Sequence, residues 1–184
     1  MITRTNKKTV QELLDNTWRS YPPEFYITLH WKNLPRQLET VIKDTQFFNN
    51  IFRMRFEGCN TPKKISKFPR RVQFQHFHER HPSTIYRKNK PPRSVLTFHT
   101  HSVLSNTHGF FKDVDDVRDF INNLLRDKKV RSLKKLRKLS VIPFEISRHG
   151  TYNSDECKKK LRMEDERGKP YFDFENSDFF KIPV

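Results

Sequence analysis

Glycine and cysteine are both scarce in this chain, with four Gly and two Cys among 184 residues. Two cysteines far apart, Cys59 and Cys157, cannot build a disulfide framework or a Cys-rich zinc site. They read as free thiols of a reducing, cytoplasmic compartment. So few glycines leave no Gly-x-x-x-x-Gly-Lys phosphate loop, and a helicase motor of that kind is excluded. No apolar run approaches the roughly 20 residues that span a bilayer. The opening residues, MITRTNKK, lack the apolar segment of a secretion signal. No internal repeat is visible. Acidic residues are also few, 21 against 37 Lys and Arg, which leaves a formal charge of +16.

What the chain does have is basic charge interleaved with aromatics, 17 of them Phe. That many aromatics exclude a disordered charged tail. The combination points to a polyanionic partner, nucleic acid first.

The pattern predicts one α+β domain, residues 25–167, between an N-terminal helical extension (1–24) and a tail (168–184). A first helix is signalled by Thr9 and Glu12 as a capping box, with Val10, Leu13, Leu14 and Thr17 or Trp18 at helical spacing. Phe25–Trp31 alternates as a strand, with Phe25, Ile27, Leu29 and Trp31 on one face and Tyr26, Thr28 and His30 on the other. A helix is expected from about Pro35 to Phe48, followed by a short strand from Ile51 to Phe56. Val72–Glu79 reads as a strand and His81–Arg93 as a Pro- and Lys-rich loop. In that loop Arg87, Lys88, Lys90 and Arg93 suit phosphate contact. Ser94–Leu104 is the clearest strand, with Leu96, Phe98 and Leu104 expected in the core. A helix follows from about Asp113 to Arg126, its N-terminus favoured by Asp113, Asp115 and Asp116. The basic run Lys128–Lys138 reads as partly helical through Leu133, Leu136 and Leu139. Val141–Ser147 reads as a strand that Pro143 places at an edge. A last helix is expected from about Asp155 to Arg162. The tail is aromatic and acidic, and reads as irregular. The sum is an antiparallel sheet with helices on one face and the other face free for a ligand.

Chemistry concentrates in Phe98-His99-Thr100-His101-Ser102. Histidines at i and i+2 of a strand share a face, so their imidazoles can hold one metal ion. A third ligand has to come from a neighbouring strand, and Gln75-His76-Phe77-His78-Glu79 offers it. Glu79 is favoured, because its oxygen suits Mg²⁺ or Mn²⁺. His78 and His76 are the nitrogen alternatives, and an ion pair with Arg80 or Arg55 is the competing role for Glu79. Tyr152 combines a helix start with nearby Lys158, Lys159 and Lys160, which suits a nucleophile that attacks a phosphodiester.

Taken in order, Phe25-Tyr26-Ile27-Thr28-Leu29, then Val95–Leu104 with its His-x-His pair, then Tyr152 before a lysine-bearing helix, the chain resembles the HUH endonucleases, in particular the single-tyrosine Rep-type initiators of rolling-circle replication. The resemblance spans about residues 25–162. It departs from the family pattern at Thr100, where a bulky aliphatic is usual, and at Asp155, where a lysine is usual, so the lysine role passes to Lys158 and Lys159. The resemblance implies a ferredoxin- or RRM-like HUH nuclease fold and a divalent metal on His99, His101 and Glu79. It implies attack by Tyr152 to give a 5′-phosphotyrosine, and a substrate of single-stranded DNA or a DNA hairpin at the replication origin of a plasmid or virus. Tyr26 and His30 on the open sheet face, with Arg87, Lys88, Lys90 and Arg93, would bind the nucleic acid. A separate helicase and the host polymerase would be partners, and a viral chain would act in the host nucleoid or nucleus. The alternatives are an HUH-type transposase, a non-catalytic module binding single-stranded nucleic acid, and a basic structural protein.

Overall fold

The structure is a computed structural model that describes residues 7–31, 37–59, 72–88, 90–126, 136–145, 171–173 and 176–178. Its elements in chain order are α1 (Lys7–Ser20), β1 (Pro23–Trp31), α2 (Leu38–Phe56), β2 (Gln73–Arg87), β3 (Lys90–Ser105), α3 (Val114–Arg126), β4 (Leu136–Pro143) and β5 (Tyr171–Phe172). The strands form one antiparallel sheet in the order β4-β1-β3-β2-β5. Each of α2 and α3 carries the chain from one strand past an intervening strand to the next.

Alternation along the strands decides which side each helix covers. Phe25, Ile27, Leu29 and Trp31 of β1 face the same side as Phe74 and, on β3, Phe98 and Leu104. Against them pack Val41, Phe48 and Phe52 of α2 and Val117, Ile121 and Leu124 of α3. Phe52 touches the rings of Phe48, Phe74, Phe111 and Phe120. The α3 start is fixed by Asp113, whose Oδ1 accepts the backbone N–H groups of Asp115 (2.9 Å) and Asp116 (3.0 Å), which satisfies two donors of the first turn.

Several sequence expectations are corrected. Helix α2 runs through Phe56, so Ile51–Phe56 is its last turns and not a strand. Phe52 and Phe56 lie at helical spacing, and the short apolar run carried both periods. The expected loop His81–Arg93 is a hairpin: β2 and β3 stay in register from Gln73↔Ser105 to Ile85↔Arg93 and close at Arg87↔Lys90. Proline in this stretch argued for a loop, but a two-stranded end tolerates it at positions that owe no ladder bond. Leu96 is 50% exposed and not in the core, although it shares the parity of Phe98. Leu136 and Leu139 belong to β4 and not to a helix. Pro143 ends β4, an edge strand. Helix α1 begins at Lys7, so Thr9 sits within it and not before it.

The helices are also not confined to one face. Leu14 of α1 packs with Tyr26, Phe77 and Val103, and with Trp18, Ile142 and Phe144, on the side opposite α2 and α3. Trp18 donates its indole N–H to Gln75 Oε1 at 3.1 Å and meets Phe144 edge-on. The face expected to be open is thus closed at one end by α1. Among the described residues, no helix is long and apolar enough to cross a membrane.

Candidate metal centre

The site lies on the α1 side of the sheet, beyond the end that α1 covers. Register places it there. On β3, His99 stands opposite Glu79 of β2 and His30 of β1, while His101 stands opposite Phe77 and Thr28. Diagonal neighbours across antiparallel strands lie within reach of long side chains, so Glu79 meets both histidines. His99 Nε2 and His101 Nε2 are 2.8 Å apart. Glu79 Oε2 lies 3.2 Å from His101 Nε2 and 3.5 Å from His99 Nε2. Two ligands at right angles on an ion about 2.1 Å away stand about 3 Å from each other, so the three donor atoms have the spacing of one coordination face. His99 is buried, while His101 and Glu79 are half-buried, which leaves the centre reachable from one side.

Strand β1 orients both imidazoles. Thr28 Oγ1 lies 3.1 Å from His101 Nδ1. A proton on that Nδ1 donated to the hydroxyl leaves Nε2 with its lone pair toward Glu79 and His99, the state a metal ligand needs. Tyr26 stacks on the His101 ring at 5.4 Å and His30 on the His99 ring at 5.4 Å. Two imidazole nitrogens and one carboxylate oxygen on one face form a donor set that leaves further positions of a divalent ion open to water or substrate. Removing the orienting hydroxyl by Thr28→Val is expected to weaken Mn²⁺ binding about 10- to 100-fold. Thr28→Ser should restore it. Isothermal titration of the three proteins measures this, and equal affinities in all of them would remove Thr28 from the site.

The alternative ligands His76 and His78 point to the other side of the sheet. They share the parity of Phe74, and both are fully buried under α2. His76 Nδ1 meets Ser102 Oγ at 2.7 Å and its Nε2 meets Asn49 Oδ1 at 2.8 Å. His78 Nδ1 meets Thr100 Oγ1 at 2.9 Å and its Nε2 meets Asp173 Oδ2 at 2.9 Å. All four ring nitrogens are thereby committed. Thr100, the residue between the two site histidines, also receives the Trp31 indole N–H at 3.2 Å and lies 3.3 Å from Thr45 Oγ1. A hydroxyl there, where an aliphatic was expected, serves this polar layer beneath the site.

Residues 171–173 and 176–178 complete that layer, although the tail read as irregular. Tyr171 and Phe172 pair with His78 and Phe77 as β5. Asn176 donates to Asp173 Oδ2 (2.7 Å) and to Ile42 O (3.0 Å), and its carbonyl accepts from Asn49 Nδ2 (2.9 Å). Asp178 accepts from Arg53 and from the Phe74 N–H. One signal for the histidines was legible beforehand: Val72, Phe74, His76 and His78 share one parity, and Glu79 has the other. No local pattern marked Asp173 or Asn176, single polar residues about a hundred positions from their partners on β2 and α2.

Burial pushes the His76 pKa down to about 3, with the Asp173 charge opposing and His78 and Arg53 adding to the fall. Burial also opposes ionisation of Asp173, but its hydrogen bond and charge interaction with His78 outweigh that and hold the carboxyl below its ordinary value. His76 is therefore neutral in the fold and protonated in the unfolded chain below its ordinary value of 6.5. Between those two values the unfolded state binds the extra proton, so stability falls as pH falls, by about 1.4 kcal/mol per pH unit. Urea unfolding of the metal-free protein from pH 7 to 4.5 measures the slope. A His76→Gln variant with an unchanged slope would show that another group carries it.

Of the other expected site residues, Tyr26 is buried against His101 and the α1 cluster, so its ring is not available to stack on a base. His30 is half-buried against His99. Lys88 and Arg93 are exposed at the hairpin end, and Arg87 and Lys90 pair there as the last rung. Tyr152, Lys158, Lys159 and Cys157 lie outside the described residues. Cys59 is a free thiol. The chain matches no protein-family model, no curated protein and no solved structure.

Proposed function

We propose that this chain is a metal-dependent endonuclease that nicks and rejoins single-stranded DNA through a tyrosine nucleophile, as the initiators of rolling-circle replication do. The observation that carries the reading is the convergence of Glu79 from β2 with His99 and His101 from β3 on one face of the sheet. The strand order supports it. Elements β1-α2-β2-β3-α3-β4 form two interleaved β-α-β units, the ferredoxin-like arrangement, and the two central strands carry Thr28, His99 and His101.

A divalent ion on this triad would supply Lewis-acid polarisation of the scissile phosphate. Thr28, Tyr26 and His30 hold the imidazoles in place, so that no reorganisation is needed when phosphate arrives. Tyr152 is assigned the nucleophile. Its phenolic oxygen forms the new bond to phosphorus as the bond from phosphorus to the 3′ oxygen breaks. The phenol proton passes to solvent and the departing 3′ oxygen ends as a hydroxyl. Lys158 and Lys159 would favour the phenolate and offset the phosphate charge. Reversal of the same step rejoins the strand.

The test is a gel assay for a covalent protein–DNA adduct, using labelled single-stranded oligonucleotide pools and Mn²⁺. We expect an adduct that needs metal and disappears in Tyr152→Phe. An adduct that survives Tyr152→Phe would move the nucleophile elsewhere. Tight binding of single strands, insensitive to chelator and without any adduct across the pools, would identify a binding module instead.

A further inference from the structure

The core face of β3 changes character under the metal centre. In order it carries Phe98, Thr100, Ser102 and Leu104, polar only at the two positions that flank His101. The same face of β2 carries Val72 and Phe74, then His76 and His78, and register sets His76 opposite Ser102 and His78 opposite Thr100. On β1 the matching positions stay apolar, with Ile27 opposite Ser102 and Leu29 opposite Thr100. All four polar residues are fully buried.

Stability does not account for them. Paired buried polar groups replaced together by apolar ones of the same shape leave stability nearly unchanged or improved, whereas a polar network with every partner in place fixes one arrangement of the core. This network is complete among the described residues: none of its side-chain nitrogen or oxygen atoms lacks a partner. Its directions are also set. Asn49 Oδ1 and the Asp173 carboxylate accept, so each ring holds a proton on Nε2, and Nδ1 takes the hydroxyl proton of Ser102 or Thr100. The Thr100 oxygen in turn accepts the Trp31 indole N–H. The hydroxyls on either side of His101 are thus drawn to one side of the sheet by two rings that are each bonded at both nitrogens.

The metal ligands need that restraint. Residues i and i+2 of a strand have Cα atoms roughly 6.6 Å apart, yet His99 Nε2 and His101 Nε2 stand 2.8 Å apart with their rings edge to face. The rings lean toward each other, and a change in the pleat at Thr100 swings both tips. We propose that His76 and His78 are positioning residues of the metal centre: bonded to Asn49 and Asp173, they hold the Ser102 and Thr100 hydroxyls and thereby the pleat that brings His99 and His101 onto one ion. This role rests on the metal-binding part of the proposed function and not on its nucleophile or its substrate.

The experiment is a Co²⁺ titration of the full chain followed by visible absorption, which reads the geometry at the ion as well as the affinity. Ser102→Ala and Thr100→Val each remove one hydroxyl and leave the three ligands in place. One more link separates them from the ion than separates Thr28, so each should weaken Co²⁺ binding about five- to tenfold, at or below the low end of the effect of a ligand's direct partner, and shift the absorption bands. Thr100→Ser should restore the parent spectrum. Val117→Ala, a truncation in the core under α3, loosens the fold elsewhere and should leave bands and affinity unchanged. Circular dichroism checks folding, and Ser102→Ala, the milder change, decides alone if Thr100→Val does not fold. Parent bands with affinity within twofold in a folded Ser102→Ala or Thr100→Val protein would overturn the proposal. So would an equal shift in Val117→Ala, which would trace the effect to general loosening. A parent that binds no Co²⁺ would overturn both this role and the metal centre. Altered bands in the variants of a parent that binds Co²⁺ but forms no covalent adduct would keep the positioning role and discard the nuclease.

Discussion

His101→Ala is expected to abolish divalent-metal binding, with at least a 100-fold loss of Mn²⁺ affinity and the loss of any metal-dependent adduct. His101 Nε2 is the donor nearest to both others, 2.8 Å from His99 and 3.2 Å from Glu79. It is also the one whose Nδ1 lies 3.1 Å from the Thr28 hydroxyl. Its removal leaves a bidentate pair, and the remaining carboxylate and imidazole lose the third point that defines a coordination face. Folding should be little affected, because the ring is partly exposed and its stacking partner Tyr26 stays held by Leu14, Phe77 and Val103. Isothermal titration, with circular dichroism as a check on folding, measures both. Unchanged Mn²⁺ affinity in a folded His101→Ala protein would reduce the triad to a hydrogen-bonded cluster of an acid and two imidazoles.

Asp178→Ala is expected to be the most damaging single substitution for stability outside the hydrophobic core. The Asp178 carboxylate accepts from Arg53 and from the Phe74 N–H (2.8 Å), and its own N–H donates to the Phe74 carbonyl (2.7 Å). Its carbonyl accepts from Gln75 Nε2 at 3.1 Å. The Arg53 guanidinium also lies over the Phe74 ring at 5.7 Å. Alanine would leave the Arg53 charge buried without its carboxylate, and breaking a buried pair from one side costs about 3–5 kcal/mol. For a chain of this size that corresponds to a fall in Tm of roughly 6–20 °C. Asp178→Asn, which keeps the backbone contact and an acceptor oxygen, should lose less. A thermal melt of Asp178→Ala within 2 °C of the parent would show that this ion pair contributes nothing.

The residues that were legible in the sequence are those whose message is periodic. Phe25–Trp31 announced a two-faced strand. Val114–Arg126 announced its helix and its acidic start. His99 and His101 announced a shared face. Where a segment carried two signals, the local one misled. Ile51–Phe56 is short and apolar enough for a strand, yet it continues α2 because Phe48, Phe52 and Phe56 complete one helical face. His81–Arg93 is rich in proline and lysine, yet pairs as a ribbon because Val95 and Thr97 carry the strand alternation back from the site. The choice among Glu79, His78 and His76 needed the register of β2 on β3, which is set by pairing between distant segments and is invisible to any local pattern. The same holds for α1, whose apolar stripe was plain but whose destination on the site face was not.

The bond between Asp178 and Arg53 joins residues 125 positions apart, and His78 waits on Asp173 across 95. A chain emerging from the ribosome can form β1, α2, β2 and β3 in turn, but Arg53 and His78 lack their carboxylate partners, and β2 its β5 neighbour, until residue 178 has been made. During that interval the nascent chain presents the β2 edge without β5 and Arg53 without its Asp178 carboxylate, and an exposed strand edge is a feature that recruits chaperones or neighbouring chains. Timing of synthesis thus enters the assembly of the His99–His101 strand: the layer of hydroxyls and histidines under it takes its last partners, Asp173 and Asn176, from the end of the chain.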